Sequence, residues 1–177
     1  LTMSINTLLK RIDSNADLCL YTDNPDKFMY GRVLASNEVD TAFYSISPEG
    51  GYDGVNMIPT DSISRIEVGG QYSAKMQSLI FENAYEQFSH TLCDDNIRNQ
   101  LLELSFDENK VITIELLDSG YDDIYGIVKS VFDDGCIIIN RIDEYGIDDG
   151  LVYIISDDIT RITYENDRTR TIQKLIR

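Results

Sequence analysis

The chain has 177 residues, of which 31 are acidic and 15 basic, giving a formal charge of −16 at pH 7. A surface of that sign repels phosphate backbones, so RNA or DNA binding would need a concentrated local basic patch. Apolar content of 42% with 10% aromatics excludes a disordered chain and implies packed cores.

In chain order, Ser4 to Ile12 reads as a short amphipathic helix, with Ser4 as a cap and Ile5, Leu8, Leu9 and Ile12 on one face. A train of strands follows: "LCLYT" (18–22), "MYGRVLA" (29–35), "AFYSIS" (42–47), "VNMIP" (55–59) and "ISRIEV" (63–68). From Ser73 to Leu92, Met76, Ile80, Ala84 and Phe88 recur every fourth residue, which predicts a helix of about four turns. Pro is absent there, so a flexible linker is not expected. A second amphipathic helix begins near Asp95 or Asn96, with Ile97, Leu101 and Leu104 on one face. Five more strands come after it, at 111–117, 124–132, 136–142, 151–156 and 159–164. "DSGYDD", "DDG" and "EYGIDDG" supply the turn residues between them. The closing "NDRTRTIQKLIR" reads as a helix with cations towards its C-terminus, not as a grip on nucleic acid.

The two halves repeat each other. "GGYDGVNMIPTDSISRI" aligns without a gap on "YGIDDGLVYIISDDITRI" when Gly50 is set on Gly146. The alignment carries Asp53 onto Asp149, Gly54 onto Gly150, Ile63 onto Ile159 and Arg65 onto Arg161, and it extends through "MQSLI" and "IQKLI". An offset of 96 residues implies a duplication into two units, each small enough that it would be marginal alone. The expected boundaries are 1–72 for the first unit with its helix, 73–94 for a linking helix and 95–177 for the second unit. The expected class is mainly β with helices.

A helix, five short bent strands, a glycine within strand 2 and one turn before strand 5 resemble the Sm-like small β-barrel family. Gly126 falls in the family's strand 2 glycine slot, "VFDDGCIIIN" is similar to its first motif in Phe132 and Asp133, and "IISDDI" to the end of its second motif with Asp157. The resemblance implies two tandem five-stranded barrels and a habit of edge-to-edge strand pairing, hence a possible homo-oligomer. It does not carry over the RNA site. Ile137 stands where RNA-binding members place Asn, and Ile155–Ser156 and Pro59–Thr60 stand where they place Arg-Gly.

No cofactor, metal or catalytic residue is expected. The carboxylate pairs 122/123, 133/134, 148/149 and 157/158 lie in predicted turns and do not follow a calcium-loop spacing. Ser89 and the single histidine, His90, are adjacent and so would not face one another on a helix. The candidate residues are those of the repeated G-x-x-D-G hairpins and of strand 5: Tyr52, Asp53, Tyr145 and Asp149, with Arg65 and Arg161. Tyr offers contact area at small entropic cost. The arginines are expected either to pair internally with Asp61 and Asp157 or to meet a partner. These features predict a non-catalytic acidic module whose partner is a protein with a basic surface; the alternatives are an RNA-binding Sm-like protein or a nucleic-acid mimic. Three widely spaced cysteines, Cys19, Cys93 and Cys136, suggest a reduced, cytoplasmic setting. No apolar run reaches membrane-spanning length and no signal-like segment is seen, so no membrane partner is expected.

Overall fold

A computed structural model describes residues 2–23 and 27–177. The fold is mainly antiparallel β with helices, divided into two compact units, Leu1–Ile97 and Arg98–Arg177. The segment expected to link the units therefore belongs to the first of them.

In the first unit, α1 (Ile5–Leu9) is capped by Ser4, whose Oγ accepts the Thr7 N–H at 3.1 Å. Its Ile5 and Leu9, with Ile12 just beyond the helix end, pack on Leu18, Leu20, Phe43, Ile58 and Ile63. The strands β1 (Leu18–Tyr21), β2 (Phe28–Ser36), β3 (Asp40–Ile46), β4 (Tyr52–Pro59) and β5 (Arg65–Val68) lie in the order β5-β1-β2-β3-β4. β1 can pair on both sides because its Leu18, Cys19 and Leu20 are buried, as suits a strand inside a sheet. A single 3-10 turn, Thr60–Ser62, separates β4 from β5.

The helix that follows is α2 (Gly70–Leu79), and it does not run to Leu92. Ile80 is extended, with φ −60° and ψ 127°, and the Phe81 N–H donates to the Gly50 carbonyl at 3.0 Å. The apolar spacing seen in the sequence continues past the helix because the next residues still bury side chains, now from a short 3-10 turn at Ala84–Glu86. Burial persists there while the backbone changes, so periodicity alone overextended the helix.

The second unit opens with α3 (Ile97–Glu108), followed by β6 (Ile112–Leu116), β7 (Ile124–Val131), β8 (Cys136–Ile142), β9 (Asp148–Ile155) and β10 (Ile159–Tyr164), and closes with α4 (Asp167–Leu175). Within it the order is β10-β6-β7-β8-β9, the same as in the first unit position for position. Ser105 of α3 joins helix to sheet: its hydroxyl donates to the Lys110 carbonyl at 2.7 Å and accepts the Val128 N–H at 3.1 Å. Asn166 caps α4 by accepting the Thr169 N–H at 2.8 Å, with Asp167 in the first turn and Lys174 in the last, each favourable to the helix dipole. Ile172 then buries against Val111 and Ile142.

Among the described residues no ladder joins β4 to β5 or β9 to β10, so the hydrogen bonds of each unit form an open series of five strands, not a closed barrel. The registers match closely. Both units shift register in their second strand, between Val33 and Ala35 and between Val128 and Ser130, and again between the third and fourth strands. Four residues separate the paired Ser36 and Thr41, and five separate the paired Val131 and Ile137, so the second unit has the longer turn. Gly31 and Gly126 allow the close crossing inside the bent second strand. A Cβ at either would fall 1.8 Å from the Tyr44 carbonyl oxygen or 2.4 Å from that of Asn140.

Candidate interaction surface

The repeated G-x-x-D-G stretch was expected to be a loop, but its Asp and second Gly lie inside β4 and β9. The two glycines answer different demands. Gly50 has φ +97° and Gly146 φ +78°, and a Cβ there would meet the Leu79 carbonyl oxygen at 2.0 Å or the Leu175 carbonyl carbon at 2.6 Å. The turn is thus pressed against the last residues of the helix that follows the fifth strand, α2 in the first unit and α4 in the second. Gly54 and Gly150, at φ +85° and +89°, sit where two residues of the fourth strand oppose one of the third. A residue in that bulge needs a positive φ.

The remaining candidates separate. Tyr52 is buried, its ring 4.9 Å from that of Tyr44. Asp53 is half-buried beside it. Tyr145 is 68% exposed at the tip of the β8–β9 hairpin. Asp149, exposed on the same hairpin, pairs with Arg141 at 2.8 Å. Arg65 places its guanidinium 3.9 Å from the Tyr21 ring and 4.0 Å from Glu67, so its neighbours are not the expected Asp61. Arg161 is half-buried in β10. β5 and β4 stand at opposite ends of the first unit's strand order, as β10 and β9 do in the second. The structure therefore brings Tyr145 together with Asp149 on one exposed hairpin, and it groups neither arginine with its unit's hairpin.

Four turn carboxylates serve their own backbone. Asp143 accepts the N–H groups of Tyr145 and Ile147, each at 2.9 Å, and Asp134 accepts that of Cys136 at 3.0 Å. Asp123 takes bonds from the Ser119 hydroxyl and the Leu116 N–H, which hold its carboxyl below the usual range. Asp148 is likewise lowered, first by the Gly150 N–H and then by Asn140. Asp123 and Asp148 therefore stay ionised at neutral pH. Among the described residues no group of three or more His, Cys, Asp or Glu side chains is arranged to hold a metal ion, and no helix is long and apolar enough to cross a membrane.

One cluster had no sequence signal. Asp17, whose side chain is only 10% exposed, accepts from Arg32 Nε, Gln77 Nε2 and the Tyr85 hydroxyl, each at 2.7 Å, while the Arg32 guanidinium lies 3.7 Å from the centre of the Tyr85 ring. Burial, reinforced by the Asp17 bond, pushes the Tyr85 phenol far above its ordinary value. The Tyr44 hydroxyl bonds the Ala84 carbonyl and accepts the Gln87 N–H at 3.2 Å. The residues after α2 are thus strapped along the first unit's sheet. These partners are separated by 15 to 68 positions in the chain, a span over which no local pattern could register them.

No protein-family model, curated protein or solved structure matches the chain.

Proposed function

We propose that the chain is a non-catalytic, acidic protein-interaction module of the cytoplasm, a regulatory, inhibitory or assembly subunit built from a duplicated Sm-like small barrel. The observation that carries this reading is the exposed β8–β9 hairpin, on which Tyr145 and Asp149 are both exposed, in a chain of charge −16. A basic protein surface is drawn to such a site by long-range attraction, and the tyrosine then supplies contact area. The Sm-like part rests on the helix, on the shared five-strand order and on the glycine crossing in the second strand of each unit.

Two observations favour a protein partner over RNA. Ile137, in the slot where a base-contacting Asn would stand, is wholly buried. The turn carboxylates would face the phosphates of any bound strand. Against catalysis, the single histidine, His90, is engaged by an aromatic neighbour, its ring lying edge-to-face 5.3 Å from that of Phe88. Edge-strand self-association is disfavoured by the same charge, since each copy repels the next.

The test is a titration of the purified chain with a pool of short RNAs and, separately, with a lysine- and arginine-rich protein, at low and moderate salt. The basic protein should bind, with affinity falling as salt rises. Submicromolar, salt-sensitive binding of RNA would reverse the reading.

A further inference from the structure

The duplicated strands β4 and β9 differ sharply in one respect. In the gapless alignment Val55 and Met57 correspond to Leu151 and Tyr153. Val55 and Met57 are wholly buried, whereas Leu151 is 50%, Tyr153 65% and Ile155 59% exposed. Strand alternation puts these three on one face, opposite the core side chain Ile154. Cross-strand pairing sets them beside Cys136, Ile138 and Asn140 of β8, on the same outward face. β9 is also the outermost strand of its unit, and among the described residues no strand lies along its outer edge. An exposed apolar stripe on an open strand edge is a template for one more strand.

Charge says what kind of strand. Between Asp133 and Asp158 the sequence carries eight carboxylates and one cation, Arg141, and Arg141 is already paired with Asp149. The carboxylates stand at both ends of the stripe. Asp148 and Asp149 begin β9, and Asp143 and Glu144 lie in the turn just before it. Asp157 and Asp158 follow its end, where the Ser156 N–H also donates to the Gly135 carbonyl at 2.8 Å and so brings the turn of Asp133 and Asp134 alongside. From Leu151 to Ile155 an extended chain covers about 13 Å at roughly 3.3 Å per residue.

We infer that β9 is a docking edge for an extended basic segment of a partner protein, with apolar side chains at alternate positions over Leu151, Tyr153 and Ile155 and Lys or Arg at both ends. This deepens the acidic-module reading and rests on it. The added strand gains main-chain hydrogen bonds along β9. Its register is fixed by the apolar alternation and its orientation on the edge by the flanking cations. A second copy of the chain is the weaker occupant, because its outermost first-unit strand, Arg65–Val68, carries one cation and one carboxylate and brings the chain's full negative charge with it.

The probe is a labelled peptide, Lys-Arg-Val-Thr-Ile-Thr-Val-Lys-Arg, titrated by anisotropy against the full chain at about 150 mM salt. A second peptide has its central Ile replaced by Pro, which cannot join a ladder. The parallel chain variant is Tyr153→Lys, a change at an exposed site that should leave the melting temperature unaltered. Binding is expected for the first peptide, with a loss of about tenfold or more both for the proline peptide and for the variant. Equal binding by wild type and Tyr153→Lys, or by both peptides, overturns the β9 assignment while leaving a diffuse acidic interaction surface standing. Failure of both cationic peptides to bind overturns both readings. If sedimentation instead shows a wild-type dimer that Tyr153→Lys dissolves, the occupant is a second copy and the basic segment is rejected.

Discussion

Asp94 Oδ2 accepts from Lys10 Nζ at 2.6 Å and its Oδ1 from the Ser36 N–H at 3.0 Å, and these bonds, the lysine's first, hold the carboxyl below its usual range. A carboxyl lowered in the folded state contributes stability that is complete above the unfolded value of about 3.9 and is lost as pH falls through the folded value. Asp94→Asn should therefore lower the melting temperature modestly at pH 7 and leave the gap between variant and wild type closed near pH 2, a pair of melting curves against pH being the check. A constant gap at every pH would show that the Lys10 bond contributes nothing through ionisation. Such a residue was not readable beforehand, since its partners lie 58 and 84 positions away. The G-x-x-D-G glycines were readable as demanding positions because they recur in both copies, yet their separate causes, a helix end pressed on one and a bulge around the other, are visible only once the elements meet.

At the scale of elements, strands were read better than helix ends. Alternation and turn residues place all ten strands to within a few residues, because a half-buried strand writes its period directly into the sequence. The helix after β5 was overextended for the opposite reason, since Ala84 and Phe88 are buried from a non-helical backbone. What holds that strap is open to measurement. Tyr85→Phe removes only the hydroxyl bond to Asp17, which keeps Arg32 and Gln77, and should cost about 0.5–1.5 kcal/mol. Tyr85→Ala also removes the ring beneath the Arg32 guanidinium and against Tyr44, and should cost about 2–4 kcal/mol. Denaturant melts of the two variants would check the order. Equal losses would mean that the strap is held by the hydroxyl alone.

For the molecule as a whole, charge is the property that sequence shows most directly and that the fold leaves in place. Asp123 and Asp148 are held ionised by hydrogen bonds from the Ser119 hydroxyl and Leu116 N–H and from the Gly150 N–H, so folding does not relieve their share of the −16 at neutral pH. Self-repulsion of that kind opposes the compact state and is screened over roughly 10 Å at 0.1 M salt. Raising sodium chloride from about 0.02 to about 0.5 M should raise the melting temperature by several degrees, as measured by calorimetry. A fall would mean that attractive pairs such as Lys110–Glu165, at 3.2 Å, outweigh the repulsion. The exposed stripe on β9 was the least legible part. Leu151, Tyr153 and Ile155 look in the sequence like the core residues that Val55 and Met57 are, and only their exposure in the folded chain distinguishes them.

The extra residue between Val131 and Ile137 lies wholly in the turn, while the paired positions on either side keep their faces. An insertion one strand position earlier would have turned Ile137 and Ile139 out to water and Ile138 inward. The two copies thus preserve a small genetic experiment, in which the hairpin tip accepted a codon that the neighbouring strands would have rejected. The turn at Asp133 and Asp134 is accordingly the place to thread a reporter epitope or a fluorophore-bearing residue, provided Gly135 is kept, since its φ of +93° suits only glycine.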